Sequence, residues 1–172
     1  DEVRAFFLAN AVQWLRDFHF DALRLDAVHA IHDNSAYPFL EELADTVREV
    51  VTRQRDFPAY LIAESDLNDP KLVRHRDAHG YGLDGMWCDD LHHALHARLT
   101  GERDGYYADF GDTATLARAW SRGLAYAGEP SVFRQRRHGR LPQPGDVLPS
   151  QLVVNAQTHD QVGNRMLGER LT

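Results

Sequence analysis

The apolar positions of this chain fall into stretches of two periods. Val3, Phe7, Ala11, Trp14 and Leu15 recur at helical spacing, and Leu8 and Val12 widen the stripe, predicting a helix over residues 1–17. Asp1 and Glu2 suit the positive end of its dipole. Phe20-Asp-Ala-Leu-Arg-Leu-Asp-Ala-Val-His29 is a short apolar run bounded by polar residues and reads as a buried strand. After a loop over 32–38, with Pro38 in a first-turn position, Leu40, Leu43, Val47, Val50 and Val51 predict a second amphipathic helix over 39–53. Asp56-Phe-Pro58 breaks it, and 59–64 reads as a second strand.

The alternation continues. Asn68-Asp-Pro70 starts a short helix through Leu72 and Val73 that ends near Gly80. Residues 82–87 form a third short strand, and 91–99 a helix closed by Gly101. Asp112 or Thr113 caps a helix with Leu116, Ala119, Trp120 and Leu124 facing inward. Residues 128–150 are rich in Gly and Pro and read as a long irregular excursion. A fourth strand spans 151–160, and 165–171 begins a helix. Helix followed by repeated strand and helix is the α/β pattern of a parallel sheet.

Composition narrows the partners. The hydrophobic and charged fractions are those of an ordinary globular protein. The formal charge of −7 and the lack of a basic stripe argue against nucleic acid. No apolar run is long enough to span a membrane. The single cysteine, Cys88, excludes an internal disulfide and fits a reducing, cytoplasmic setting. No strand is followed by a Gly-x-Gly-x-x-Gly or phosphate-loop pattern, so nucleotide binding lacks its signature. The chain opens with Asp1 inside what reads as a helix, so an excerpt of a longer protein is expected.

Candidate chemistry lies at strand ends. Arg24 and Asp26 share one face of the first strand, where two opposite charges are costly unless paired or used. They form either a structural ion pair or part of a site. Glu64 and Asp160 end two further strands. In an α/β barrel all three acids would meet at the carboxyl ends, where active sites lie. Three converging carboxylates suit glycoside hydrolysis, in which one acts as nucleophile or base and another must be protonated to act as acid. The spacing alone also admits a metal site.

Leu23-Arg-Leu-Asp26, Ala63-Glu-Ser65 and Thr158-His-Asp160 resemble motifs of the α-amylase family of retaining glycoside hydrolases. Longer runs resemble the trehalohydrolase branch of that family: 24–32, Leu61 to Pro70, Asp89 to His96, Gly105 to Gly111 and Gln157 to Arg165. Thr158 stands where the wider family commonly has Asn. The resemblance covers essentially the whole chain. It implies a partial (β/α)8 TIM barrel, approximately strands four to seven with their helices. Residues 1–172 would then be the central part of a catalytic barrel, with the remainder of that barrel as its partner. Alone, such a half would leave sheet edges open and be unstable or inactive.

The implied substrates are maltooligosyltrehalose and maltooligosaccharides, cut at the α-1,4 bond beside the terminal trehalose, with no cofactor and no metal. Asp26 would be the nucleophile, Glu64 the acid and then the base, and Asp160 the stabiliser of the distorted sugar. Arg24 would orient Asp26, and His159 and His29 would bond the sugar. A glucan-branching transferase, or a non-catalytic carbohydrate-binding relative, are the alternatives.

Other residues weigh less. His92 and His96 lie one helical turn apart, but the pattern lacks the glutamate of a zinc-hydrolase helix. Trp87, Asp89, Asp90 and His93 are placed as a lining of the cleft, Trp87 as a platform for a sugar ring or as core. Cys88 reads as a packed thiol, and Arg134, Arg136, Arg137 and Arg140 as a solvated loop or as contacts to sugar.

Overall fold

The computed structural model describes residues 2–55 and 57–171. Asp1 and Asp56, offered above as a dipole partner and a helix breaker, lie outside the described residues. Four short strands form one parallel sheet: β1 (Ala22–Leu25), β2 (Tyr60–Ala63), β3 (Gly85–Cys88) and β6 (Leu152–Val154), in the order β1-β2-β3-β6. Leu23 is in register with Leu61, Ala63 with Met86, and Cys88 with Val154. Leu61, Ala63, Met86 and Cys88 are all buried, as expected for inner strands covered by helices. All four strands therefore point the same way, and their carboxyl ends open onto one rim.

Helix α1 (Glu2–Val12) continues through a wider turn over Gln13–Asp17, and α2 (Phe39–Thr46) through Val47–Val51. Ala11, Val12, Leu15, Leu40, Leu43, Val47 and Val51 pack with the sheet into one core. The stripe of the first helix is narrower than its apolar spacing predicts. Val3, Phe7 and Trp14 are exposed, and the inner row is Leu8, Ala11, Val12 and Leu15. Asp33 receives the backbone amides of Ser35 and Phe39, which holds its carboxyl down at about 2 and fixes the entry to α2.

The remaining helices are α3 (Asp90–Thr100), α4 (Thr113–Arg122) and α5 (His159–Gly163). Gly101, at φ +80°, closes α3 in the left-handed conformation that glycine adopts without strain. Asp112 is the cap of α4, accepting from Thr115 N. Ala94 and Ala97 of α3 and Ala119 of α4 form a second small core with Tyr107, Phe110 and Tyr126.

Several expectations change. Trp120 faces solvent at 74% exposure, while Thr115 takes the inner position. The stretch from Asn68 to Gly80 makes two 3₁₀ turns, Pro70–Leu72 and Arg76–Ala78, and not one helix. Residues 128–150 are not wholly irregular. They contain most of an antiparallel hairpin, β4 (Ala127–Ser131) with β5 (Arg136–Gly139). The fourth parallel strand is shorter than predicted, and Asp160 sits in the first turn of α5. No helix begins at Arg165, where the chain turns instead. None of the described helices is long and apolar enough to cross a membrane.

Candidate active site

The rim at the carboxyl ends of the strands gathers the acids around one cation. Arg24, the third residue of β1, places Nη1 at 2.5 Å from Asp26 Oδ1. Its Nη2 lies 3.8 Å from Glu64 Oε2 and 3.9 Å from Asp160 Oδ2. Three carboxylates separated by 38 and 96 residues of chain thus surround a single guanidinium. The planar fork of arginine is suited to that geometry, and its charge offsets part of their mutual repulsion. The ion pair of Arg24 and Asp26 and the convergent site are therefore one arrangement.

The backbone ties two of the acids together. Glu64 N donates to Leu25 O at 2.8 Å, and Val28 N to Glu64 O at 3.0 Å. Between them, Ala27 turns into the left-handed region at φ +45° and donates its amide to Glu64 Oε2 at 2.6 Å. A non-glycine residue in that conformation is strained, and here the strain aims an amide at a carboxylate. Glu64 is the most enclosed of the acids, with 16% of its side chain exposed, against 76% for Asp26 and 51% for Asp160.

Trp87 extends from β3 beneath this cluster. The Arg24 guanidinium lies over its ring at 4.3 Å, and His159 meets the ring edge at a centroid distance of 6.4 Å. One face of the indole is thus taken by Arg24. His159 Nε2 is also 3.3 Å from Asp160 Oδ1. His29, exposed in the turn after β1, faces Asp66 at 3.7 Å. Asp89, between β3 and α3, accepts from Asn155 Nδ2 at 3.3 Å.

Asp90 does not line the cleft. It is buried and receives the Ala125 amide at 2.6 Å and the Asn68 side-chain amide. It joins the start of α3 to the loop after β2 and to the chain leaving α4. Burial pushes its carboxyl up to about 6. The charged form is disfavoured in the fold, so this contribution to stability is full below about 3.8 and lost as pH rises through about 6. Asp90→Asn keeps an acceptor for both donors. Relative to the parent it should be more stable at pH 7 than at pH 4, by about 2 kcal/mol between the two. Thermal melts of both proteins at the two pH values check this.

His93 is half-buried, its ring against Tyr106 at 4.7 Å and Phe110 at 5.2 Å. Burial pushes it down to about 3, so it is neutral. His92 and His96 spend their Nε2 atoms on Tyr107 and Glu102. Among the described residues no group of three side chains is placed to hold a metal ion. Cys88 is buried, and burial raises its thiol far from the ionised form.

Two features escaped the sequence. Arg134, in the β4–β5 turn, pairs with Asp66 at 2.7 Å, and His138 Nε2 bonds the Asp66 carbonyl at 2.6 Å. The hairpin is therefore pinned beside the loop that leaves Glu64. Asp109 holds its other side, bonding Ser131, Tyr126 and the amide of Val132. The signal for a hairpin was weak, because β4 and β5 carry glycines, a proline and charges without apolar alternation.

No protein-family model matches the chain. It is 56% identical over 172 residues, 100% of its length, to the malto-oligosyltrehalose trehalohydrolase of Arthrobacter ramosus, covering 30% of that protein. To the enzyme of the same name from Mycobacterium tuberculosis H37Rv it is 50% identical over 170 residues, 99% of this chain and 29% of the relative. A 1,4-alpha-glucan branching enzyme from Shewanella is 36% identical over 101 residues, 50% of this chain and 14% of that one. Among solved structures, a candidate alpha amylase from Salmonella typhimurium superposes with a TM-score of 0.85 at 37% identity, over 99% of this chain and 29% of its own. Over essentially its whole length this chain is similar to malto-oligosyltrehalose trehalohydrolases, and it spans about three-tenths of theirs.

Proposed function

We propose that this chain supplies the fourth to seventh strands of an eight-stranded parallel barrel and carries its catalytic centre. The reaction is hydrolysis, with retention, of the α-1,4 bond beside the terminal trehalose of maltooligosyltrehalose. The observation that carries the reading is the convergence of Asp26, Glu64 and Asp160 on Arg24 at the carboxyl rim of a parallel sheet. The relatives' names support this substrate, because the matches over the whole of this chain are trehalohydrolases and the branching enzyme matches half of it.

In this reading the Asp26 carboxylate attacks the anomeric carbon while Glu64 protonates the departing oxygen, and trehalose leaves. Glu64, now ionised, takes a proton from water, which attacks the same carbon and frees Asp26. Asp160 holds hydroxyls of the distorted ring. Arg24 directs Asp26 through the contact at 2.5 Å, and His159 and His29 bond the sugar from the rim. Neither a metal nor an organic cofactor has a part in these steps. The edges of β1 and β6 are where the remaining strands would pair.

Incubating the natural protein that carries this sequence with maltooligosyltrehalose should release free trehalose. The new reducing end should appear first as the α-anomer by NMR. With amylose no new branch points should form. Branch points without trehalose would replace this reading by the transferase one.

A further inference from the structure

Within the segment bearing Asp160, the Thr158–Gln161 capping box fixes the turn, while the carboxylate itself has few partners. Strand β6 ends at Val154, and among the described residues the Asp160 carboxylate meets only Arg24 at 3.9 Å and its neighbour His159 at 3.3 Å. Half of its side chain is open to solvent. Its position must come from the backbone on either side of it.

That backbone is anchored on α3 and the turn after it. Upstream, His92 is fully buried and bonds the Ala156 carbonyl through Nδ1 and the Tyr107 hydroxyl through Nε2, at 2.7 Å. A carbonyl can only accept, so Nδ1 carries the proton and Nε2 accepts from the tyrosine. Burial keeps the ring neutral, consistent with that tautomer. Asp89 accepts from Asn155 one residue earlier. Downstream, Arg165 Nη2 bonds Glu102 Oε2 at 2.5 Å, and the same oxygen meets His96 Nε2 at 2.8 Å. Positions 89, 92 and 96 recur at i, i+3 and i+7, which is one face of a helix.

We propose that this face of α3 is the positioning element for Asp160, gripping the chain before it through His92 and Ala156 and after it through Arg165, Glu102 and His96. The histidine cluster is thus a clamp and not a ligand set. The proposal rests on the assignment of Asp160 to the scission point made above. Asp160 acts on the distorted sugar, so displacing it should lower kcat and leave KM little changed.

The test is a double-mutant cycle on trehalose release by the natural protein. Arg165→Ala should lower kcat by on the order of 10–100-fold. On an Asp160→Asn background it should cost nothing further, because its effect runs through that carboxylate. His92→Leu should behave alike, while His92→Asn, whose amide replaces the Nδ1 donor, should recover most of the loss. Arg165 is partly exposed in a turn, so its variants test the idea even if His92→Leu does not fold. Full multiplication of the Arg165 and Asp160 losses, or equal defects in His92→Asn and His92→Leu, would overturn the clamp. Wild-type turnover by Asp160→Asn alone would instead remove Asp160 from the reaction, and the clamp with it.

Discussion

Asp26→Asn is expected to abolish trehalose release, with kcat lower by roughly 10⁴-fold or more. The asparagine keeps the size of the side chain and an oxygen that can still accept from Arg24 Nη1, at present 2.5 Å from Asp26. What it loses is the proposed nucleophile: a neutral amide cannot form the glycosyl ester on which retention depends. Because Asp26 is mostly exposed, the substitution disturbs no core, and the thermal midpoint should stay close to that of the parent. Rate at saturating maltooligosyltrehalose, measured beside a melt, separates chemistry from folding. Turnover near the parent's would show that another group attacks the sugar.

Glu64→Gln should cost roughly 10²–10⁴-fold on the natural substrate. Glutamine can still accept from the Ala27 amide, now 2.6 Å from Glu64 Oε2, so the turn between the two acids should survive. It can neither give a proton to departing trehalose nor take one from water. A malto-oligosyl α-fluoride, whose leaving group needs no proton, should therefore still load Asp26. Azide, a nucleophile that needs no base, should then release a glycosyl azide and restore turnover. If fluoride and azide bring back nothing, Glu64 has a role other than proton transfer.

Much of this site can be read before folding because its parts lie at strand ends. Leu23-Arg-Leu-Asp26 alternates, so Arg24 and Asp26 share a face and meet. In a parallel sheet the same logic brings Glu64 to the same rim. Asp160 reached it by another route. Thr158 and Gln161 form a capping box that starts α5, and that pattern, T-x-x-Q, was available in the chain. Asp90 could not be read this way. Its partners, Asn68 and Ala125, are 22 and 35 residues distant, and an acid at a helix start ordinarily faces water. Trp120 misled for a related reason. Helical spacing gives the width of an apolar stripe but not which edge of it a neighbour covers, and Thr115 took the inner place.

The rim carries more acid than base, with three carboxylates set against one guanidinium. Even with Glu64 protonated, the balance remains negative. Such a recess sorts its visitors by charge: it is indifferent to a resting sugar, which has none, and welcoming to any ring that turns positive. A protonated imino-sugar would be drawn in where its neutral carba-analogue is not, and for the same reason that the cation-like sugar of the proposed reaction would be.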